Sequence, residues 1–157
     1  MYTQKLHIDG MMTGHVQGIA TDSKRKYMYY SFTTSFVKTD MNGNIIGSVK
    51  GLAGHLGCIA YNEDDGRVYG SLEYKHDIIG KGILQRIGDG TDVEDGWYVA
   101  IFDVDKIDRM DMDAEKDGMT HRLVVSLEAS LHKTTAADIL KECMALVNVP
   151  PTADLTV

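Results

Sequence analysis

The stretch that decides the fold lies at residues 14–22, GHVQGIATD, and it returns forty residues later, at residues 54–62, as GHLGCIAYN. The likeness continues into the next segment, where KYMYYSF at residues 26–32 is matched by GRVYGSL at residues 66–72. Both segments are rich in β-branched and aromatic residues, and self-similarity at this period is typical of stacked four-stranded β-blades. The chain is therefore expected to be mainly β, an incomplete β-propeller-like array of about two four-stranded antiparallel blades.

The first repeat, residues 14–50, divides into four short strands. They are predicted over residues 18–22, 27–33, 36–40 and 45–49, and the basic run at residues 24–26 is predicted to be a polar turn. Asn42-Gly43, between the third and fourth strands, predicts a tight primed hairpin turn with positive φ.

The second repeat, residues 54–127, begins in the same way and then lengthens. Its strands are predicted over residues 58–61, 67–74, 97–103 and 122–127. Residues 75–96 are expected to be a Gly- and Asp-rich insertion with one short apolar piece, residues 82–87. Residues 103–113 are expected to be an acidic connector. Cys58 is expected in the core, and Trp97 and Tyr98 are expected to pack within the sheet.

The two ends of the chain are less regular. Residues 3–8 alternate like a single outer strand, and residues 134–147 predict a helix with one apolar stripe. The predicted division is therefore a β-blade region over residues 1–130 and a C-terminal helical tail over residues 131–157. Two blades do not close a ring, because closed propellers have four to eight. Three explanations stay open: the chain is a fragment of a longer gene product, copies assemble, or the helix covers the open face.

The bulk composition excludes several classes of partner. The 157 residues have a net charge of −7 and 43% hydrophobic content, which is ordinary for a globular domain and argues against nucleic acid or an anionic membrane. Cys58 and Cys143 are too far apart in sequence to suggest a disulfide framework. The start of the chain has no apolar segment of signal-peptide length, so we expect a cytoplasmic protein, a truncated leader being the alternative.

Two histidines at equivalent repeat positions define the candidate site. His15 and His55 precede the first strand of each blade, which lines the central channel of a propeller. The second strands run back toward the same face, so further polar residues are expected to join the histidines there: Gln17, Thr33, Glu73, Lys75 and His76. Imidazole, amide, hydroxyl and carboxylate groups together suit a sugar-like ligand, an anion or a metal. The alternative is that the histidines hydrogen-bond neighbouring backbone and only hold the blades together.

Other arrangements predict little chemistry. The acidic connector lacks the Gly and Glu that a calcium-binding EF-hand loop needs, so a solvated connector is expected. No Gly-x-Ser-x-Gly motif surrounds Ser31 or Ser71, and the insertion lacks the ending of a phosphate-binding loop. The sequence leaves any catalytic residue unknown, and it predicts no metal ligand and no cofactor; a divalent metal at the histidines is the alternative.

Residues 14–74 and 97–103 resemble the bacterial β-propeller superfamily that includes NHL-repeat, lactonase-like and glutaminyl-cyclotransferase-like members. The residues that carry the resemblance are QGIATD at 17–22, YYS at 29–31 and VKTD at 37–40 with Gly43. The opening looks most like a cyclotransferase-type propeller. Gln17 stands near the place where lactonase-like propellers carry an acidic metal ligand, which counts against lactonase activity.

These patterns predict a binding module that recognises a small molecule or a protein on the face around His15 and His55. Two alternatives stay open. One is a propeller enzyme, either a metal-assisted hydrolase or a cyclotransferase. The other is a homo-oligomeric scaffold or a fragment of a longer propeller.

Overall fold

The computed structural model describes Ile8 and residues 14–88, 90 and 92–125. All of them belong to the first of two units, Met1–Ser126, and the second unit is Leu127–Val157. The strand predicted over residues 3–8, apart from Ile8, and the helix predicted over residues 134–147 lie outside the described residues. The described part is mainly β, as the repeat predicts.

Nine strands and one α-helix make up the described part. In chain order they are β1 (Gly18–Thr21), β2 (Tyr27–Ser31), β3 (Phe36–Asp40), β4 (Ile45–Lys50), β5 (His55–Asn62), β6 (Arg67–Tyr74), α1 (Ile78–Ile87), β7 (Gly96–Phe102), β8 (Met112–Asp113) and β9 (Thr120–Val125), with a 3-10 turn at Val104–Lys106 before β8.

The strands form two open sheets. The first has the order β1-β2-β3-β4-β8, in which the first four strands are an antiparallel meander and β8 pairs with β4 in parallel. The second has the order β5-β6-β7-β9 and is antiparallel throughout. Within the described residues neither sheet closes on itself.

Polar turns connect the strands of the first sheet. Asp22 accepts the main-chain N–H groups of Lys26 and Tyr27 at 2.8 and 3.0 Å, which confirms the turn predicted at the basic run. The primed turn predicted at Asn42-Gly43 is wrong, because of these two residues only Gly43 has positive φ, at 88°. A primed type I turn needs positive φ at both central residues. Asp40 instead accepts N–H bonds from Asn42 and Asn44, and a register shift follows in the β3–β4 ladder.

The main core lies between the two sheets, where stacked aromatic rings pack among aliphatic side chains. The Phe36 and Phe102 rings stack with centroids 4.2 Å apart, and Tyr29 stacks on Phe36 and on Tyr61 at 5.9 and 5.8 Å. Ser31, fully buried, donates its hydroxyl to the Gly57 carbonyl of the second sheet at 2.6 Å. Aromatic burial and this cross-sheet hydrogen bond hold the two sheets face to face.

The segment between β7 and β9 is fastened to the first sheet. Lys38 on β3 is 5% exposed, and its ammonium donates to the Val104 and Ile107 carbonyls at 2.7 and 3.3 Å. Burial lowers the pKa of Lys38 from its ordinary 10.5. A methyl group on Gly47 of β4 would lie 2.9 Å from the Arg109 carbonyl oxygen, so the segment lies directly against β4.

The prediction that residues 103–113 form a solvated connector therefore needs correction. Its carboxylates are exposed or half-buried, but four apolar side chains in and just after it are buried in the core: Val104, Ile107, Met112 and Ala114. Alternating acidic and apolar residues read as a solvated run in sequence, whereas in the fold the apolar ones face the two sheets.

The second sheet also departs from prediction in its insertion, at the start of β5 and at Cys58. The insertion at residues 75–96 contains α1, which begins before the predicted apolar piece. Strand β5 begins at His55 rather than at residue 58. Cys58 is exposed rather than in the core, because a register shift between Leu56 and Ile59 changes which side chains face inward.

Candidate functional site

The start of α1 forms one wall of the candidate site. Asp77 is the N-cap residue, and its carboxylate accepts the N–H groups of Ile79 and Gly80, both at 2.9 Å. These bonds satisfy donors that a helix start leaves without partners inside the helix. Gly88 ends the helix with φ of 70° and an N–H bond to the Leu84 carbonyl. Local capping thus fixes where α1 stands against the end of β6.

A depression of about 260 Å³ lies between α1 and the ends of β5 and β6. We refer to it as the His55 depression. It brings together three of the residues predicted from sequence, namely His55, Glu73 and Lys75. Its other lining residues come from the end of β6 and from α1 with its cap: Tyr74, Asp77, Ile79, Gly80 and Ile83. Polar groups stand on the sheet side and apolar side chains on the helix side.

Three side chains at this end of the second sheet form a cross-strand row. His55 on β5 pairs with Glu73 on β6, and Glu73 pairs with Trp97 on β7. Directly paired residues project from the same face of a sheet. The imidazole, the carboxylate and the indole therefore stand side by side.

Lys75 neutralises the carboxylate of this row. Its ammonium forms an ion pair with a buried oxygen of Glu73, and the ammonium lies 5.5 Å from the centre of the Trp97 ring. The hydrogen bond to Glu73 raises the pKa of Lys75 from its ordinary value. Lys75 thus contacts both the Glu73 carboxylate and the Trp97 ring.

Trp97 is 52% exposed, so the prediction that it packs within the sheet is wrong, whereas Tyr98, its neighbour on the opposite face, is 8% exposed as predicted. Alternation along β7 puts one aromatic ring in the core and the other toward solvent. Half of the Trp97 surface is therefore in water, and the Lys75 ammonium lies over its ring.

The remaining predicted site residues do not line the depression. His15 is exposed, and its imidazole lies 3.0 Å from the Gln17 side-chain amide. The carbonyl of Thr33 accepts the N–H of Leu56, so this residue joins the two sheets through its backbone.

His76 contacts two carboxylates and does not line the depression. Its backbone N–H and its ring nitrogen Nδ1 lie 2.7 and 2.5 Å from the Asp95 carboxylate, and its Nε2 lies 3.6 Å from Asp92. The bond from His76 lowers the pKa of Asp95 below its ordinary 3.8. This pair fastens the end of β6 to the segment that precedes β7.

Tyr74 contributes a buried hydroxyl that sequence reasoning missed. The residue is 1% exposed, and its hydroxyl has no hydrogen-bond partner among the described residues. Burial and the carboxylates of Asp95 and Asp92 raise the pKa of Tyr74, so it stays protonated at neutral pH. A buried donor of this kind is costly unless a water or a ligand accepts from it.

In the part of the chain that the structure describes, no group of three or more His, Cys, Asp or Glu side chains is arranged to hold a metal ion. The same part contains no helix that is both long and apolar enough to cross a bilayer.

The site residues that the sequence did not indicate come from α1 and from β7. Asp77 followed by two isoleucines is a helix N-cap signal that was available in the sequence. The exposure of Trp97 had no such signal, because alternation shows which residues share a face but not which face is covered.

A comparison of the chain with protein families, with curated proteins and with solved structures finds no match.

Proposed function

We propose that this protein is a binding module that holds a small molecule in the His55 depression. The observation that carries the proposal is that one concave site brings together His55, Glu73 and Lys75, all three predicted from the sequence. Binding sites for small molecules are typically concave and mostly apolar, with a few polar groups that orient the ligand. The apolar side chains of α1 and the polar side chains of His55, Glu73 and Lys75 match that description.

The size of the depression favours a small ligand. Its volume of about 260 Å³ lies below the usual range of drug-sized sites, roughly 300–1,000 Å³. We infer that the scaffold is a propeller-type pair of blades, a reading supported by the repeat and by two meanders of four antiparallel strands.

Ligand-induced stabilisation tests this function. The purified protein is heated with a library of neutral, anionic and cationic small molecules, because a ligand that binds only the folded state raises the melting temperature. The expected result is at least one compound whose effect is lost in His55→Ala. His121→Ala is the matched control, since His121 is an exposed histidine on β9 that does not line the depression.

Two outcomes would overturn the proposal. Either no compound stabilises the protein, or every stabilising compound acts equally on His55→Ala and on the unaltered protein. Circular dichroism of both variants shows whether they are folded, so that a loss of binding is not mistaken for a loss of structure.

Assembly with further copies of the chain is a second candidate function, and one observation favours it. Ser31 is buried and bonds to the neighbouring sheet, whereas Ser71, at the equivalent repeat position, is exposed. The second sheet thus carries a partly open copy of the face that the first sheet uses for stacking. Light scattering tests it: a discrete oligomer supports assembly, and a monomer at high concentration refutes it.

A further inference from the structure

The side of the second sheet that faces away from the first sheet repeats a surface that the first sheet buries. The first sheet packs on the second through the side chains of Tyr29, Ser31 and Phe36. Tyr69 and Ser71 occupy the repeat positions equivalent to Tyr29 and Ser31, forty residues later. Tyr29 and Ser31 are fully buried, whereas Tyr69 is half-buried and Ser71 is exposed. The second sheet therefore carries the same kind of packing surface on a side where it is not buried.

Cross-strand pairing gathers apolar side chains on this side of the second sheet. Ser71 pairs with Val99 and Val99 with Leu123, and in the adjacent row Tyr69 pairs with Ile101. Directly paired residues project from the same face of a sheet. None of these apolar side chains belongs to either hydrophobic cluster of the described residues. We refer to Tyr69, Ser71, Val99, Ile101 and Leu123 as the outward face.

The opposite side of the two-sheet stack is buried at its centre. Tyr30, Phe32 and Val37, on the side of the first sheet that faces away from the second, are 5%, 6% and 0% exposed, and Ile8 packs against them. Head-to-tail addition of copies needs two complementary free faces on each copy, and here the complement is buried. A single free face pairs instead with the same face of a second copy about a two-fold axis, which gives a closed dimer.

The size of the outward face limits the strength of such a dimer. Four strands about 4.8 Å apart and five residues long at about 3.4 Å each cover about 300–400 Å² per copy. An interface of that size lies at the low end for specific protein complexes, where association is weak and reversible. We therefore expect a dissociation constant of about 1 µM to 1 mM.

We infer that two copies of the chain form a reversible two-fold dimer through the outward face, with Val99 and Ile101 of each copy packed on the outward face of the other. The inference deepens assembly, the second candidate function, and it does not depend on a ligand in the His55 depression. Apolar contact holds this dimer against charge, because each copy has a net charge of −7 and two copies repel one another.

Sedimentation velocity of the full chain tests the inference at protein concentrations from about 1 µM to about 1 mM, the range of the expected dissociation constant. The expected result is a monomer that converts to a dimer, with no larger species, as the concentration rises. Raising the salt concentration should strengthen the dimer, because salt screens the repulsion between the two copies.

Three variants with the same change of charge locate the interface. Val99→Glu should weaken the dimer by about a hundredfold or more, because the two-fold axis brings two carboxylates together in a buried interface. Ser71→Glu should also weaken it, and it keeps the test valid if Val99→Glu does not fold, since Ser71 is exposed. Ile19→Glu is the matched control. Ile19 is 58% exposed on β1 of the first sheet, so this variant should stay within about twofold of the unaltered protein. Circular dichroism shows whether each variant is folded.

The results separate this inference from assembly in general. A dimer that both Val99→Glu and Ser71→Glu leave intact, or that Ile19→Glu weakens as strongly as they do, overturns the outward face while assembly stands. A discrete trimer or larger species does the same. A dimer that weakens as salt rises is held by ion pairs and also overturns the inference. A protein that stays monomeric up to about 1 mM refutes both.

Discussion

The close approach of α1 to the end of β6 can be tested with two glycines of the same helix. A methyl group added at Gly80 would lie 1.8 Å from the Lys75 carbonyl oxygen and 3.1 Å from a ring carbon of Tyr74. Real side-chain Cβ atoms essentially never come within 3.0 Å of another atom in this way, and a carbonyl is not a flexible group that can turn aside. A methyl group added at Gly82 would meet nothing within 4 Å.

The expected magnitudes follow from these contacts. Alanine stabilises a helix interior by about 0.5–1 kcal/mol relative to glycine, so Gly82→Ala should raise the free energy of unfolding by that amount. Gly80→Ala has the same intrinsic gain but must push α1 away from Lys75. Overpacking of this kind costs about 1–3 kcal/mol or more. The two variants should therefore differ by about 1–3 kcal/mol, with Gly80→Ala the less stable.

Urea unfolding followed by circular dichroism measures both free energies, and the slopes show whether the transitions expose similar surface. The reasoning is refuted if Gly80→Ala is as stable as Gly82→Ala or more so, because α1 would then not lie against the Lys75 carbonyl. Gly80 also lines the His55 depression, so ligand binding should weaken in Gly80→Ala and persist in Gly82→Ala.

Three further predictions concern hydrogen bonds and protonation. Ser31→Ala should lower the free energy of unfolding by about 1–2 kcal/mol because the Gly57 carbonyl loses the buried hydroxyl that donates to it. Ser71→Ala should lower it by less than about 0.5 kcal/mol, and equal losses in urea unfolding would contradict the cross-sheet bond. The pKa of Lys38 lies below 10.5 in the folded state, so the folded protein releases this proton first and the free energy of unfolding should rise as the pH approaches 10.5. Lys38→Met should lack that rise in urea unfolding at alkaline pH, and an unchanged slope would count against the buried ammonium. His76→Ala should raise the pKa of Asp95 toward 3.8 in a carboxyl NMR titration. In the unaltered protein, the stability that the pair adds above pH 3.8 should be lost as the pH falls through the lower pKa that Asp95 has in the folded state. A pKa of Asp95 that the substitution does not move would mean that the pair is absent.

The repeat predicted the strands well because alternation and turn residues act locally. The strands over residues 36–40 and 67–74 have the predicted bounds, and their neighbours differ by a few residues at the ends. The helix α1 was missed since Gly80 and Gly82 lower helix propensity and made the segment read as a loop. In the fold, Gly80 is present because only a glycine fits against the Lys75 carbonyl.

The candidate site was predictable in part for the same reason. His55 and Glu73 stand at strand ends that the repeat located, so their meeting followed from antiparallel pairing. Asp77 and Ile79 were not predicted as site residues because they belong to the start of α1, which was not predicted. The exposure of Cys58 and Trp97 depends on a register shift and on which sheet face is covered, and neither is written in a local pattern.

The segment that carries β8 also decides how the protein loses its structure. It leaves the second sheet after β7, pairs with β4 of the first, is held there by the Lys38 ammonium, and returns to the second sheet as β9. Opening of either sheet removes contacts that hold this length of chain, and the other sheet is weakened with it. The described region should accordingly unfold as one cooperative unit, and hydrogen exchange of β3 and β7 should report the same global opening.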